Sequence, residues 1–369
     1  MKHQPLDRLE LNFYSLKERK NRVAIERDYV PPSASPKALA GEASETLEMV
    51  IESVAAARWK KRPVILAFGA HTIKNGLGPA ITDLLQRDWI THLATNGAGI
   101  IHDWEFAFQG ESSEDVRENI RKGKFGMWDE TGHYLNLALT VGAYEGLGYG
   151  ESIGSFIERE ELTIPDRAGL EELVRNPSGN DWGKVAAAAD LLQTIHTFDL
   201  QSGPQPVSHP FKAYSIQANA FRMGVPCTAH PMFGHDIIYT HPMNQGAAVG
   251  RTAERDFLLF AGSIRSIEDG VYISLGSAVM SPMIFEKAFS MAQNLSLQQG
   301  QRISRHRVFV VDLAESDWDW QRDGEPPGNH PAYYIRYCKT FSRVGGEMRY
   351  VTADNRDFLL ALSQGLKRL

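Results

Sequence analysis

The chain has 369 residues, 43% of them hydrophobic and 23% charged, the balance of a globular protein with a substantial core and room for one large α/β domain or two ordinary ones. Its formal net charge of −6 argues against non-specific nucleic-acid binding, which needs a basic face, and favours a cationic ligand over an anionic one. Two cysteines, Cys227 and Cys338, cannot build a disulfide framework, and no apolar stretch approaches the roughly 20 residues of a membrane span, so a reduced, cytoplasmic protein free of membrane is expected.

In chain order, residues 1–44 are charged and then turn-rich, ending in "PPSASPKALAGEASE", and read as a surface arm outside the core. Residues 45–369 read as a single α/β domain. A helical period over 45–59 opens it. Six short apolar runs then predict strands at 63–68, 90–95, 225–230, 271–276, 308–313 and 349–354. Most alternate poorly, as strands buried on both faces do. Helical stretches at 79–87, 212–223, 253–267, 282–294, 331–342 and 355–367 separate or follow them. Strand–helix alternation of this kind predicts a mostly parallel sheet of about six strands in a three-layer αβα sandwich. The segment 110–200 reads as a mainly helical insertion. Within it, "GESSEDV" reads as a helix start with Ser112 and Asp115 spaced as a capping box, and "GLGYGESIG" as a mobile loop.

Ligands of an open parallel sheet lie beyond the carboxyl ends of its strands. Three strand ends here are glycine-rich: "FGAHTIKNGLGP", "TNGAG" and "LGSAVMSP". None matches G-x-G-x-x-G, but three bare turns at one edge favour a nucleotide over three merely structural turns. His102, Asp103 and Glu105 stand just past the second turn. The segment "AHPMFGHDIIYTHP" carries His230, His235 and His241 with Asp236 beside the middle one. Their spacing matches no metal motif, so a polar loop whose histidines bind substrate or bond to backbone is favoured, with a metal site on His230, His235 and His241 as the alternative. Lys339 lies on an aromatic-rich helix. "ESDWDWQRDGE" interleaves Glu315, Asp317 and Asp319 with Trp318 and Trp320, a pattern suited either to an amine, by charge and cation–π contact, or to a solvated acidic loop.

Taken in order, these features resemble deoxyhypusine synthase. The likeness is carried by "ILAFGAHTIKNGLGPAITDLLQRDWITHLATNGAGIIHD" (65–103), "KAYSIQANAFRMGVPCTAHPMFGHDIIYTH" (212–241), "GVYISLGSAVMSPMIFEKAFSMAQNL" (270–295), "VFVVDLAESDWD" (308–319) and "YYIRYCKTF…YVTADN" (333–355). It spans about two thirds of the chain and fails mainly in 110–200. The resemblance implies a Rossmann-like fold, NAD as cofactor, a polyamine or other small amine as substrate, aminoalkyl transfer and a homotetramer. It places the imine-forming lysine on Lys339; His102, His235 or His241, as an imidazole near neutral pH, is the expected proton-transfer group. NAD contacts fall on Thr72, Asn75, Gly76, Thr95, Asn96, Gly97, Ala98, Gly99, Asp103, Gly276 and Ser277, and amine contacts on Glu315, Asp317, Trp318 and Tyr337. The family's histidines after its Gly-Gly-Gly turn are replaced by Ser281, Pro282 and Met283, and its Glu-Glu-Asp by Ile101, His102 and Asp103. A metal-dependent hydrolase and a nucleotide-binding protein without turnover are the competing readings.

Overall fold

The computed structural model describes residues 3–177, 179 and 181–369. Six strands form the central sheet: β1 Val64–Phe68, β2 His92–Thr95, β3 Cys227–Ala229, β4 Val271–Leu275, β5 Arg307–Asp312 and β6 Glu347–Thr352. Each matches its predicted run to within two residues at either end. Every neighbouring pair is parallel, and the spatial order is β3-β2-β1-β4-β5-β6. That is the doubly wound order of the Rossmann fold.

The strands lack a two-residue period because both faces are covered. In β1, Val64, Leu66 and Phe68 pack into a core shared with the helices Glu42–Trp59, Gly78–Gln86 and Asn355–Leu366. Ile65 and Ala67 point the other way, to the helices Gly246–Arg265, Met280–Gln298 and Arg336–Ser342. Each fully buried Val, Leu or Ile contributes about 1.5–3 kcal/mol, so both patterns are strongly held. A third core joins the insertion helices Asp129–Glu145, Tyr149–Arg159 and Trp182–Phe198 to Ile100, Ile101 and Trp104 of the helix Gly97–Gln109. The helix after β2 is therefore wedged between sheet and insertion.

Three local expectations are corrected. The first 44 residues are not outside the core: Leu16, Arg19, Ile25 and Val30 are buried, and Asn21–Ala24 pairs antiparallel with Glu111–Glu114. The Arg8 guanidinium also donates to the main-chain oxygens of Tyr239, His241 and Asn244. Ser112 lies in that ribbon and caps nothing; Asp115 alone caps the helix Val116–Arg121, accepting from the Glu118 N–H at 2.9 Å. "GLGYGESIG" is the start of the helix Tyr149–Arg159, where a Cβ on Gly150 would lie 1.8 Å from the Cys227 carbonyl oxygen. Its glycines serve packing. Among the described residues, no helix is long and apolar enough to cross a membrane.

Candidate active site

In this strand order the ligand crevice is expected between β1 and β4, where the chain winds away in opposite directions. Here that point is filled by main chain. The Gly69 N–H donates to Leu275 O at 3.2 Å, and a Cβ on Gly69 would sit 2.3 Å from the Gly276 carbonyl oxygen. Gly276 is left-handed, with φ +56°, and its own Cβ position is 2.3 Å from Asn355 Nδ2. Ser277 is buried, its hydroxyl accepting from the Ser281 N–H at 3.2 Å. The open space lies one strand over, above β2. It is a cleft of about 190 Å³ whose walls include Arg19, Lys74, Ala98, His102, Glu105 and Asp236, with Glu114, His235 and several apolar side chains around them.

The turn after β2 shows why the chain carries so little bulk there. Thr95 donates its hydroxyl to Phe68 O at 3.0 Å, tying β2 to β1. Asn96 caps the helix by accepting from the Gly99 N–H at 2.9 Å, as an N-cap side chain should. A Cβ on Gly97 would lie 2.1 Å from the Asp236 carboxylate, and one on Gly99 would lie 2.3 Å from Thr95 Oγ1. The bare turn thus accommodates Asp236, a side chain from the loop after β3. Asp236 Oδ2 has no hydrogen-bond partner among the described residues, and burial pushes the carboxyl up to about 7.

One helical turn on, His102 and Glu105 share a face of the helix Gly97–Gln109 at i, i+3 spacing. Glu105 is fully buried and accepts from both terminal nitrogens of Arg19, at 2.8 and 2.6 Å, from Thr131 at 2.9 Å and from Ser112 at 2.5 Å. His102 contacts Ser112 Oγ through Nδ1 at 2.7 Å, and burial lowers its imidazolium to about 4, so it is neutral near pH 7.

The remaining predicted site residues disperse. Asp103 turns away from the cleft and caps the helix Ile216–Met223, accepting from Ser215 Oγ at 2.6 Å and the Ile216 N–H at 3.0 Å. Thr72 is buried with its hydroxyl unpartnered, on the short helix that carries Lys74. Asn75 is exposed, and Gly76 is pressed against Asp28 O in a left-handed turn. His230 is a core residue: Nε2 meets Thr228 Oγ1 at 3.0 Å, the ring packs edge-on to Phe260, and burial lowers it to about 3. His235 is exposed at the cleft, while His241 is buried between Asp129, Phe13 and His133. The three histidines do not converge, and among the described residues no cluster of three His, Cys, Asp or Glu could hold a metal ion.

Lys339 and the acid–indole loop lie on the opposite flank. The helix bearing Lys339 packs against β6, four strand positions from β2, or about 19 Å at the usual strand spacing. Its ammonium is paired to Glu325, which holds it above the ordinary lysine value, and lies 4.4 Å from the Tyr333 ring centre. Glu315 and Asp317 are exposed after β5; Trp318 Nε1 donates to Gly324 O at 2.9 Å, and Tyr337 meets the Tyr350 hydroxyl at 3.3 Å. None of these side chains lines the cleft. Sequence reasoning overlooked Arg19, Lys74 and Ser112. Asp236 was visible only as a histidine's neighbour, and Glu105 only as one of the titratable residues just past the second turn.

No family model matches the chain, and no curated protein does. Among solved structures it is similar to a proposed LOR/SDH protein from Methanococcus maripaludis S2, at 13% identity over 92% of this chain and 74% of that one, with a TM-score of 0.43. It is similar to AgrE in a ternary complex with ornithine and NAD+, at 13% identity and a TM-score of 0.44, over 90% of this chain but 34% of AgrE. The chain thus spans about a third of AgrE. A proposed deoxyhypusine synthase from Entamoeba histolytica aligns at 11% identity over 89% of this chain and 90% of that one, with a TM-score of 0.41. The geometry of the cleft, not these likenesses, carries the reading that follows.

Proposed function

We propose that the protein is an NAD-dependent enzyme acting on a small amine in the cleft above the helix Gly97–Gln109. The observation that carries this reading is Asp236. Its carboxyl is largely buried, lacks a partner on Oδ2, titrates near neutrality and lines the cleft beside a turn with no side-chain bulk. A perturbed, unsatisfied acid in a concave site is what proton-transfer chemistry requires.

An ammonium cannot release a hydride from its α-carbon, because the lone pair that stabilises the developing positive charge is bound to a proton. A carboxylate raised to about 7 is a stronger general base for that proton than an ordinary carboxylate and is itself attracted to the cation. Asp236 performs both roles. Lys74 and Arg19 bring positive charge to the same walls, and Glu105 neutralises Arg19, so the free acid is the one facing the ligand. Ile101, Val116, Phe125 and Ile237 supply an apolar lining that limits water.

The motif likeness supports NAD, and the turn suits one end of it. The Gly97 and Ala98 N–H groups begin a 13-residue helix, and Ala98 lines the cleft. When bound, NAD supplies hydride acceptance. The cleft takes the reactive end and a small amine; the rest of a dinucleotide would extend outside its 190 Å³. This reading replaces Lys339 by Asp236 as the group that handles the amine.

A thermal-shift screen of NAD, NADH and small amines tests it. Stabilisation by NAD, increased by an amine and with the amine increment lost in Asp236→Asn, is expected. No stabilisation by NAD or by any amine would contradict the reading.

A further inference from the structure

We propose that Ser112, Glu105 and Arg19 are positioning residues that lock His102 in the Nδ1–H tautomer, so that its Nε2 lone pair is the second proton acceptor of the cleft; this deepens the reading above and rests on it. The assignment follows from counting protons. Burial would raise the Glu105 carboxyl, but the charge and two hydrogen bonds of Arg19 outweigh it and hold the group below its ordinary value. Glu105 is therefore ionised and can only accept. Its contact with Ser112 Oγ, at 2.5 Å, must use the single hydroxyl proton of Ser112. Ser112 then has only lone pairs left for His102 Nδ1 at 2.7 Å, so the imidazole is the donor there. A neutral imidazole carries one N–H. With that proton on Nδ1, Nε2 is bare.

The wider surroundings agree. Burial keeps the ring neutral, Lys74, Arg19 and His71 oppose its protonation, and Glu105 favours it without prevailing. The antiparallel ribbon explains how the chain delivers these groups. Val23 pairs with Ser112, placing Ser112 on one strand, while Arg19 lies two residues before the other strand begins. The N-terminal segment is thus part of the site. A bare Nε2 accepts and cannot donate, so the ligand must present an N–H or O–H to it, as a protonated amine or an alcohol does and an ether or quaternary ammonium does not.

The tautomer is read directly from the ring nitrogen resonances of the full-length chain labelled with ¹⁵N-histidine, with His102→Gln assigning the signal. At neutral pH, Nδ1 is expected in the protonated range and Nε2 in the unprotonated range. Ser112→Ala is expected to move the proton to Nε2, and Ser112→Thr, which restores the hydroxyl, to return it to Nδ1. The backbone amide spectrum confirms folding of each variant. A wild-type ring protonated on Nε2, or a Ser112→Ala ring unchanged from wild type, overturns the proposal. Putrescine added with NAD should shift the Nε2 resonance; an unmoved resonance beside the expected tautomer would count against the amine reading of the cleft alone.

Discussion

Two ion pairs stand on opposite flanks of the sheet. Arg19–Glu105 is enclosed, with side chains 2% and 1% exposed, and every oxygen of the acid is occupied. Lys339–Glu325 is open to solvent on the acid's side, with Arg343 sharing the same carboxylate. The residue types are interchangeable on paper, and the lysine even sits among tyrosines. The surroundings decide the difference. Water screens the outer pair, whereas burial keeps the histidine beside the inner pair neutral and leaves a neighbouring aspartate without a partner on one oxygen.

Breaking the inner pair should have the largest effect. Arg19→Ala strands a buried carboxylate and is expected to cost about 3–5 kcal/mol, measured by urea unfolding. Next is Gly97→Val, whose side chain must displace the Asp236 carboxyl; overpacking of this kind costs about 1–3 kcal/mol and should abolish stabilisation by NAD and amine in a thermal-shift assay. Asp236→Asn should act in the other direction. The folded carboxyl titrates near 7 against 3.8 unfolded, so the wild type is favoured at low pH and loses stability as pH rises through that window. The amide cannot ionise, so its advantage over wild type should grow from about pH 4 to about pH 7 and then level off in chemical denaturation. Lys339→Ala is expected to have the smallest effect: no measurable change in stability or in the ligand-induced thermal shift.

Much of the architecture was legible because burial on both faces and burial on one stripe leave different periods. The six strands, their parallel pairing and the helical character of 110–200 follow from short apolar runs alternating with helical ones. The site was only half legible. "TNGAG" and His102 mark the right turn, but the occupant of that turn comes from residue 236, and nothing local announces that Asp236 lies against Gly97. Arg19 sits in a polar run that resembles any solvated segment; only pairing of Asn21–Ala24 with Glu111–Glu114 brings it inside. Asp103 misled in the opposite way, because an acid beyond a glycine turn has the same appearance whether it meets a ligand or caps a neighbouring helix.

The most direct measurement is the titration of Asp236 by carboxyl ¹³C resonance in the full-length protein, with Asp236→Asn for assignment. A midpoint about 7 that falls when NAD and an amine are added is the predicted result. A midpoint in the ordinary carboxylate range, unmoved by either compound, would contradict the account.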